Sequence, residues 1–341
     1  MTILLVGTVF AVFLGVLMYV ISLLWELPPL TMYGIAVVGA GFFILIEYLI
    51  GPSIVSHAMD LRYLDSGENP WLEKTVNGLA DKSGVPVPKL AIVSDETPNA
   101  FVFGRTAKGA TLAVHEGLLR NLSEEEIEGV IGHEFGHIHH RDYLVMTALA
   151  AVPVLAYLIA RLSFEGLAHG RIRPRGKGGA LVIATIIAAA AISYVAYLVA
   201  QLCVRRLSRL REQYADAYSA YLTGSPRDLE SALTKISYGL SLSPKNPSGA
   251  RTFFICDPAQ AKLECQGIIE NKEEFDLDKN GVLDERELEL AMEKEAQNTW
   301  RKINLLFATH PPTYKRILLL REIEKEMDSG EFTSERIYAH I

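Results

Sequence analysis

His133 and His137 stand four residues apart with Glu134 beside the first, an H-E-x-x-H set within Gly132-His133-Glu134-Phe135-Gly136-His137. On a helix, positions four apart share a face, so both imidazoles can reach one zinc ion. Glu134 can then take a proton from water on that ion, the general-base role of a metalloprotease. The short pattern also arises by chance in unrelated helices, and a catalytic zinc of this type needs a third protein ligand. Arg211-Glu212-Gln213-Tyr214-Ala215-Asp216 offers one. Glu212 completes His-His-Glu, and Asp216, one turn on, can accept the free ring N–H of a ligand histidine and fix its tautomer. An E-x-x-x-D pair among arginines is most often solvated charge; beside an H-E-x-x-H helix it reads as a ligand and an orienting carboxylate. His139 and His140 fall on other helix faces and read as surface or headgroup-level residues.

A second set of oxygen donors lies downstream. Asp276-Leu277-Asp278-Lys279-Asn280-Gly281-Val282-Leu283-Asp284-Glu285-Arg286-Glu287 follows the twelve-residue EF-hand calcium loop throughout. Asp276, Asp278 and Asn280 supply side-chain oxygens, Val282 a backbone carbonyl, Asp284 acts directly or through water, and Glu287 closes bidentately. Calcium is therefore the second expected ion, with flanking helices at Glu264–Phe275 and Glu285–Gln297; a solvated acidic turn is the competing reading. EF-hands usually work in pairs, and no second loop is found, which points to modest affinity. Near the C-terminus, Thr309-His310-Pro311-Pro312 leads into Arg316. His310, as a catalytic group, or Arg316, grouped with the substrate contacts, can stabilise a tetrahedral oxyanion or a carboxylate behind the ligands; a His-Pro-Pro stretch reads just as well as a plain helix entry.

These residues need elements to hold them. Ser123 followed by Glu124, Glu125 and Glu126 reads as an N-cap with a capping box, starting the zinc helix near Glu124. Residues 208–223 read as the helix carrying Glu212, stopping at Thr223-Gly224-Ser225-Pro226. Trp71, Leu72, Val76, Leu79 and Ala80 recur at helical spacing up to Ser83-Gly84, followed by short β-type runs at Lys89–Val93, Asn99–Phe103 and Ala110–Val114. A protease can hold an extended substrate by adding it to a sheet edge, which reads backbone and tolerates many sequences. Asn99–Gly104 is the candidate edge, with Asn99, Ala100 and Phe101 as substrate contacts; an ordinary core strand is the alternative. Arg227–Leu240 and Tyr314–Met327 read as further helices, and Ser243–Gly249 as a linker.

Four apolar runs, residues 3–24, 31–50, 143–160 and 180–203, are long enough to cross a bilayer; the alternative is that the third and fourth form a hairpin that does not fully cross. The first lacks a basic leader and a cleavage site, so it reads as a span and not a signal peptide. If the zinc helix runs straight on, His137 lies six residues, about 9 Å, from Tyr143. The fourth run ends nine residues before Glu212. Both ligand segments then leave the membrane directly, and the active site is expected just above its surface. Half of the 341 residues are hydrophobic, which suits a membrane protein with an attached soluble domain. A net charge of −7, with no basic face interleaved with aromatics, argues against nucleic acid. Cys203, Cys256 and Cys265 are an odd count without a C-x-x-C spacing and read as reduced thiols, although Cys256 and Cys265 could pair.

Taken in order, Pro98-Asn99-Ala100-Phe101, G-H-E-F-G-H, R-E-x-x-A-D and Thr309-His310-Pro311-Pro312 with Arg316 resemble the HtpX group of membrane zinc metalloproteases, relatives of the CAAX prenyl proteases. The resemblance implies a gluzincin-like endopeptidase with one catalytic zinc per chain, held by His133, His137 and Glu212 with Glu134 as base. It also implies a multi-pass protein of the cell membrane whose protease domain faces the cytosol and degrades damaged or misassembled membrane proteins. The calcium-type loop departs from the usual pattern of that group, which gives no guidance on its role. Arg171, Arg173, Arg175 and Lys177 on one side nearly balance Arg205, Arg206, Arg209 and Arg211 on the other, so positive-inside counting leaves orientation to the cysteines and the resemblance.

The fold expected is a mainly α membrane protein: about four transmembrane helices plus a soluble α+β, zincin-like protease domain with a small β-sheet. Its expected parts are a transmembrane hairpin (1–50), a first protease segment (51–142), a second hairpin (143–204), the third-ligand region (205–250), the calcium-type insertion (251–300) and a C-terminal protease segment (301–341). Its expected partners are the lipid bilayer and membrane-protein or unfolded polypeptide substrates. Two other functions stand beside this one. A membrane calcium-binding protein on a latent protease scaffold fits less well, because a structural zinc wants a fourth ligand and Glu134 is intact. A prenyl-protein processing protease shares the chemistry but has more spans, enclosing a chamber.

Overall fold

The computed structural model describes residues 29–143, 179–242, 254–270, 272–279, 285–296 and 310–341, with single positions at 145, 146, 149, 153, 156, 157, 160, 161, 283 and 308. The expected span at 3–24, most of that at 143–160, the loop at 165–178 and the linker at 243–249 lie outside the described residues. Helix α1 (Pro29–Ala58) leads to strand β1 (Arg62–Tyr63), α2 (Pro70–Ser83), β2 (Lys89–Val93), β3 (Ala100–Phe103), β4 (Thr111–His115) and the short α3 (Glu116–Asn121). The zinc helix α4 (Glu124–His139) follows, then α5 (Gly179–Thr223), α6 (Pro226–Leu242) and α7 (Pro258–Glu270). The chain continues through α8 (Lys272–Phe275) and α9 (Glu285–Ala296) to α10 (Thr313–Asp328).

The chain divides into two compact units, Met1–Gly51 with Leu144–Leu207, and Pro52–Tyr143 with Ser208–Ile341. In the first, Val38, Phe42, Leu45, Leu49, Ile187 and Val195 are exposed, a surface that water does not favour and lipid does. Among the described residues, one helix, Ile183–Thr223 within α5, is long and apolar enough to cross a membrane, and it contains most of the fourth expected run.

The second unit is built on a four-stranded mixed sheet of order β1-β2-β4-β3. β2 and β4 are parallel, while β1 and β3 pair antiparallel at the two edges. Side chains alternate along each strand. Ile92, Ala100, Leu112 and Val114 face the main helical core with Leu72, Ile131, Phe135 and Leu233. Ala91, Val93, Phe101, Phe103 and Ala113 pack on the other side with Val55, Met59 and Leu61. β1 went unread in the sequence, because two residues carry no alternation.

The capping box at the start of α4 is complete. Glu126 N–H donates to Ser123 Oγ at 3.3 Å, and Ser123 N–H donates to Glu126 Oε2 at 2.8 Å. The other Glu126 oxygen accepts from Lys235 and Ser231, which ties the first turn of α4 to α6. At its far end α4 does not run straight on to Tyr143. It stops at His139, and Arg141 turns left-handed at φ 58°.

Candidate active site

α4 and α5 meet at a crossing that only small residues permit. A Cβ on Gly136 would sit 2.8 Å from Ala215 Cα, and one on Gly132 would sit 2.8 Å from Ser219 Oγ. Ser219 Oγ donates to Gly129 O at 2.6 Å, fastening the helices together. This close approach brings Glu212 to the two histidines. His133 Nε2 and His137 Nε2 are 3.1 Å apart; Glu212 Oε2 is 3.5 Å from the first and Glu212 Oε1 is 3.6 Å from the second. A tetrahedral zinc with arms of about 2.1 Å has edges of about 3.4 Å, so the donor set fits that ion. Glu212 Oε2 is buried with no hydrogen-bond partner among the described residues, a cost that a cation would relieve. Burial alone would raise the Glu212 carboxyl, but the imidazoles of His310, His133 and His137 outweigh it and hold the group well below the ordinary carboxylate range.

Each of the two histidines has a carboxylate behind it. His133 Nδ1 lies 2.8 Å from Asp216 Oδ1, as the E-x-x-x-D spacing suggested. Asp216 is held in turn by Arg316, whose Nε and second terminal nitrogen donate to its two oxygens at 2.8 and 2.6 Å. Burial opposes ionisation of Asp216, and the guanidinium overcomes it. Arg316 is fully buried and also donates to Ile255 O. Of the two roles expected for it, Arg316 therefore serves the carboxylate behind His133, and its burial keeps it from a substrate. Behind His137 stands a residue the sequence reading passed over: His137 Nδ1 lies 2.6 Å from Asp142 Oδ2, and Arg211 pairs with the same carboxylate.

Glu134 is buried beside the ligands, and burial pushes its carboxyl above the ordinary value. Its carboxylate accepts the Val102 N–H, which joins the base to β3. β3 is an edge strand, as expected. His115 N–H donates to Asn99 O, so by the alternation of an antiparallel ladder Asn99, Phe101 and Phe103 direct their backbone at β4, while Ala100 and Val102 direct theirs away. The expected backbone edge therefore narrows, because Asn99 and Phe101 spend their backbone groups on β4 and Ala100 and Val102 keep the outward ones. Asn99 is fully buried and its Oδ1 accepts Ile255 N–H at 3.0 Å; Ala100 is buried; the Phe101 ring packs against Phe103 and His115. What this stretch offers is backbone.

His310 is buried with Nε2 3.8 Å from Glu212 Oε1, and burial, aided by Arg316, lowers its pKa. His140 is no simple surface residue. It is half-buried against Tyr214 and Tyr218, its Nε2 is 2.6 Å from Tyr338 Oη, and burial brings its pKa down to about 4. His139 stacks on Tyr218.

In the calcium-type segment, carboxylate oxygens of Asp276, Asp278 and Glu287 lie within 4.8 Å of one another. Glu287 is buried and accepts the N–H groups of Leu277 at 2.6 Å and Asp278 at 3.3 Å. The expected ligands Asn280, Val282 and Asp284 lie outside the described residues. The flanking helices form, the first beginning earlier than expected, at Pro258. Cys203, Cys256 and Cys265 are free thiols, and burial pushes that of Cys256 up to about 12.

The sequence model of peptidase family M48 matches residues 66–324. Two similar proteins are the protease HtpX homolog of Thermococcus sibiricus, 35% identical over 82% of this chain and 83% of that one, and that of Aeropyrum pernix, 33% identical over 90% and 93%. Among solved structures, Ste24p of S. mikatae aligns with a TM-score of 0.45 and 17% identity over 92% of this chain and 62% of that one.

Proposed function

The chain belongs to peptidase family M48, and from that premise we propose a membrane-embedded zinc endopeptidase that cuts damaged or misassembled membrane proteins and unfolded polypeptides at the cytosolic face of the membrane. The observation that carries the reading is the convergence of His133, His137 and Glu212 donors at the edge lengths of a tetrahedral zinc, with the buried Glu134 beside them. Zinc held there would polarise the scissile carbonyl and make water nucleophilic at neutral pH.

Around that ion, the chain's own residues do the rest. Glu134 takes a proton from the attacking water and hands it to the amine nitrogen as the C–N bond breaks. Its burial strengthens it as a base. Asp216 fixes the His133 tautomer so that Nε2 faces the ion. The outer edge of β3, through the backbone of Ala100 and Val102, pairs with an extended peptide, and Val102 exchanges Glu134 for substrate. His310 donates to the carbonyl oxygen as it becomes negative.

Four spans, at 3–24, 31–50, 143–160 and 180–203, anchor the chain. Glu212 shares helix α5 with the last of them, which supports a site close to the bilayer surface. The loop 276–287 binds calcium, a reading supported by the twelve-position spacing and the three gathered carboxylates.

The test is digestion of unfolded casein by the detergent-purified chain with zinc restored. Wild type should cleave; Glu134→Gln should bind zinc yet cleave about 10²–10⁴-fold more slowly, the usual worth of a general base. Undiminished cleavage by that variant removes the mechanism.

A further inference from the structure

A straight helix cannot bring residue 142 to residue 137. Five positions on, the side chain points about 140° away and lies about 7.5 Å further along the axis. The chain solves this with a left-handed residue. Arg141, at φ 58°, follows the C-cap residue His140 of α4 and turns the backbone so that the Asp142 carboxylate comes back to His137 Nδ1 at 2.6 Å. Arginine rarely adopts this conformation, and such backbone persists where surrounding structure over-determines it, which happens most often at functional sites. Asp142 is buried, and Arg211 pairs with it while donating to His140 O at 3.0 Å. The arrangement repeats what lies behind the other ligand. Arg316, Asp216 and His133 form one arginine–carboxylate–imidazole series; Arg211, Asp142 and His137 form a second, in which α5 supplies the arginine and not the carboxylate.

We propose that Asp142 and Arg211 are positioning residues for His137. The carboxylate accepts the Nδ1 proton, which commits the Nε2 lone pair to the ion and fixes the ring plane. Arg211 aims the carboxylate and compensates its charge where water is largely excluded. The proposal rests on reading His137 as a metal ligand. Such partners typically carry about 10–100-fold in metal affinity.

Zinc affinity of the full-length, detergent-purified chain, measured by competition with a chromogenic chelator, tests this without recourse to activity. Asp142→Ala should bind zinc about 10–100-fold more weakly than wild type. Because removing one partner strands Arg211, the double variant Asp142→Ala/Arg211→Met removes the pair together. Its circular dichroism and metal-free melting curve should match wild type while zinc binding stays weak. Asp142→Asn, which keeps an acceptor, should lose less affinity but shift the ligand-field absorption of the cobalt(II)-loaded protein, a change that a merely structural ion pair would not produce. Wild-type zinc affinity in a folded double variant, or a cobalt spectrum unmoved by Asp142→Asn, overturns the proposal. His137→Ala separates the two failures: if zinc binding survives that change, the metal-site reading itself is wrong.

Discussion

A carboxylate shut away from water behind a buried imidazole must have its charge answered, and Asp216, behind His133, has it answered by Arg316. The two are 100 residues apart, and losing one member of such a buried pair typically costs about 3–5 kcal/mol. The Glu212/Asp216 spacing was legible because helical periodicity alone puts both on one face. Arg316 was legible only as a choice between oxyanion and carboxylate, since nothing local says which partner a distant arginine meets. The edge at Asn99–Gly104 was legible as a strand, but not its register, which turns the Asn99 and Phe101 backbone toward β4 and that of Ala100 and Val102 outward. Asp142 was missed because its reach depends on Arg141 adopting a conformation that arginine does not favour. The calcium-type loop stands on different ground. Asp276, Asp278 and Glu287 gather like charges that a divalent cation would neutralise. Titration calorimetry should find one calcium per chain, and Glu287→Gln should weaken binding on the order of tenfold or more by removing a charged ligand. No heat of binding in the wild type would leave the loop a solvated acidic turn.

Between elements, the decisive contact is the α4–α5 crossing. The glycines of G-H-E-F-G-H alternate with the ligands: Gly132 and Gly136 face Ser219 and Ala215, while His133 and His137 turn toward Glu212. The motif thus encodes helix spacing as well as ligands, which the sequence reading did not extract. It did extract the capping box, because that device is local. Strand limits shifted by a residue, Ala110–Val114 becoming Thr111–His115, because pairing with β2 sets them. Gly136→Ala should drive a methyl into the Ala215 backbone, which cannot yield as a side-chain end can. Overpacking of this kind costs about 1–3 kcal/mol and here also moves Glu212 from the histidines. The expected result is a lowered melting temperature together with weakened zinc binding. Gly78→Ala, on the exposed face of α2 with nothing within 4 Å, should instead stabilise by up to about 1 kcal/mol and leave zinc binding alone. Equal effects from the two changes would show that the crossing is not what sets the site.

At the scale of the whole chain, composition announced a membrane protein, and the exposed Val38, Phe42, Ile187 and Val195 belong to a surface made for lipid. What composition could not supply is sidedness, since the basic residues flanking the apolar runs nearly cancel. Labelling decides it, because Cys256 and Cys265 lie in separate buried clusters, out of reach of an aqueous reagent. If the unit Pro52–Tyr143 with Ser208–Ile341 faces the cytosol, an exposed residue of it must be reachable only from that side. Lys108, exposed on the turn between β3 and β4, supplies the site. In a chain whose half-exposed Cys203 is replaced by serine, Lys108→Cys should react with a membrane-impermeant maleimide in inside-out vesicles and resist it in sealed right-side-out vesicles, while the buried Cys256 and Cys265 react in neither. The opposite pattern would turn the protease outward, where unfolded substrates on the far side of the membrane, not the cytosolic ends of membrane proteins, would meet the edge of β3.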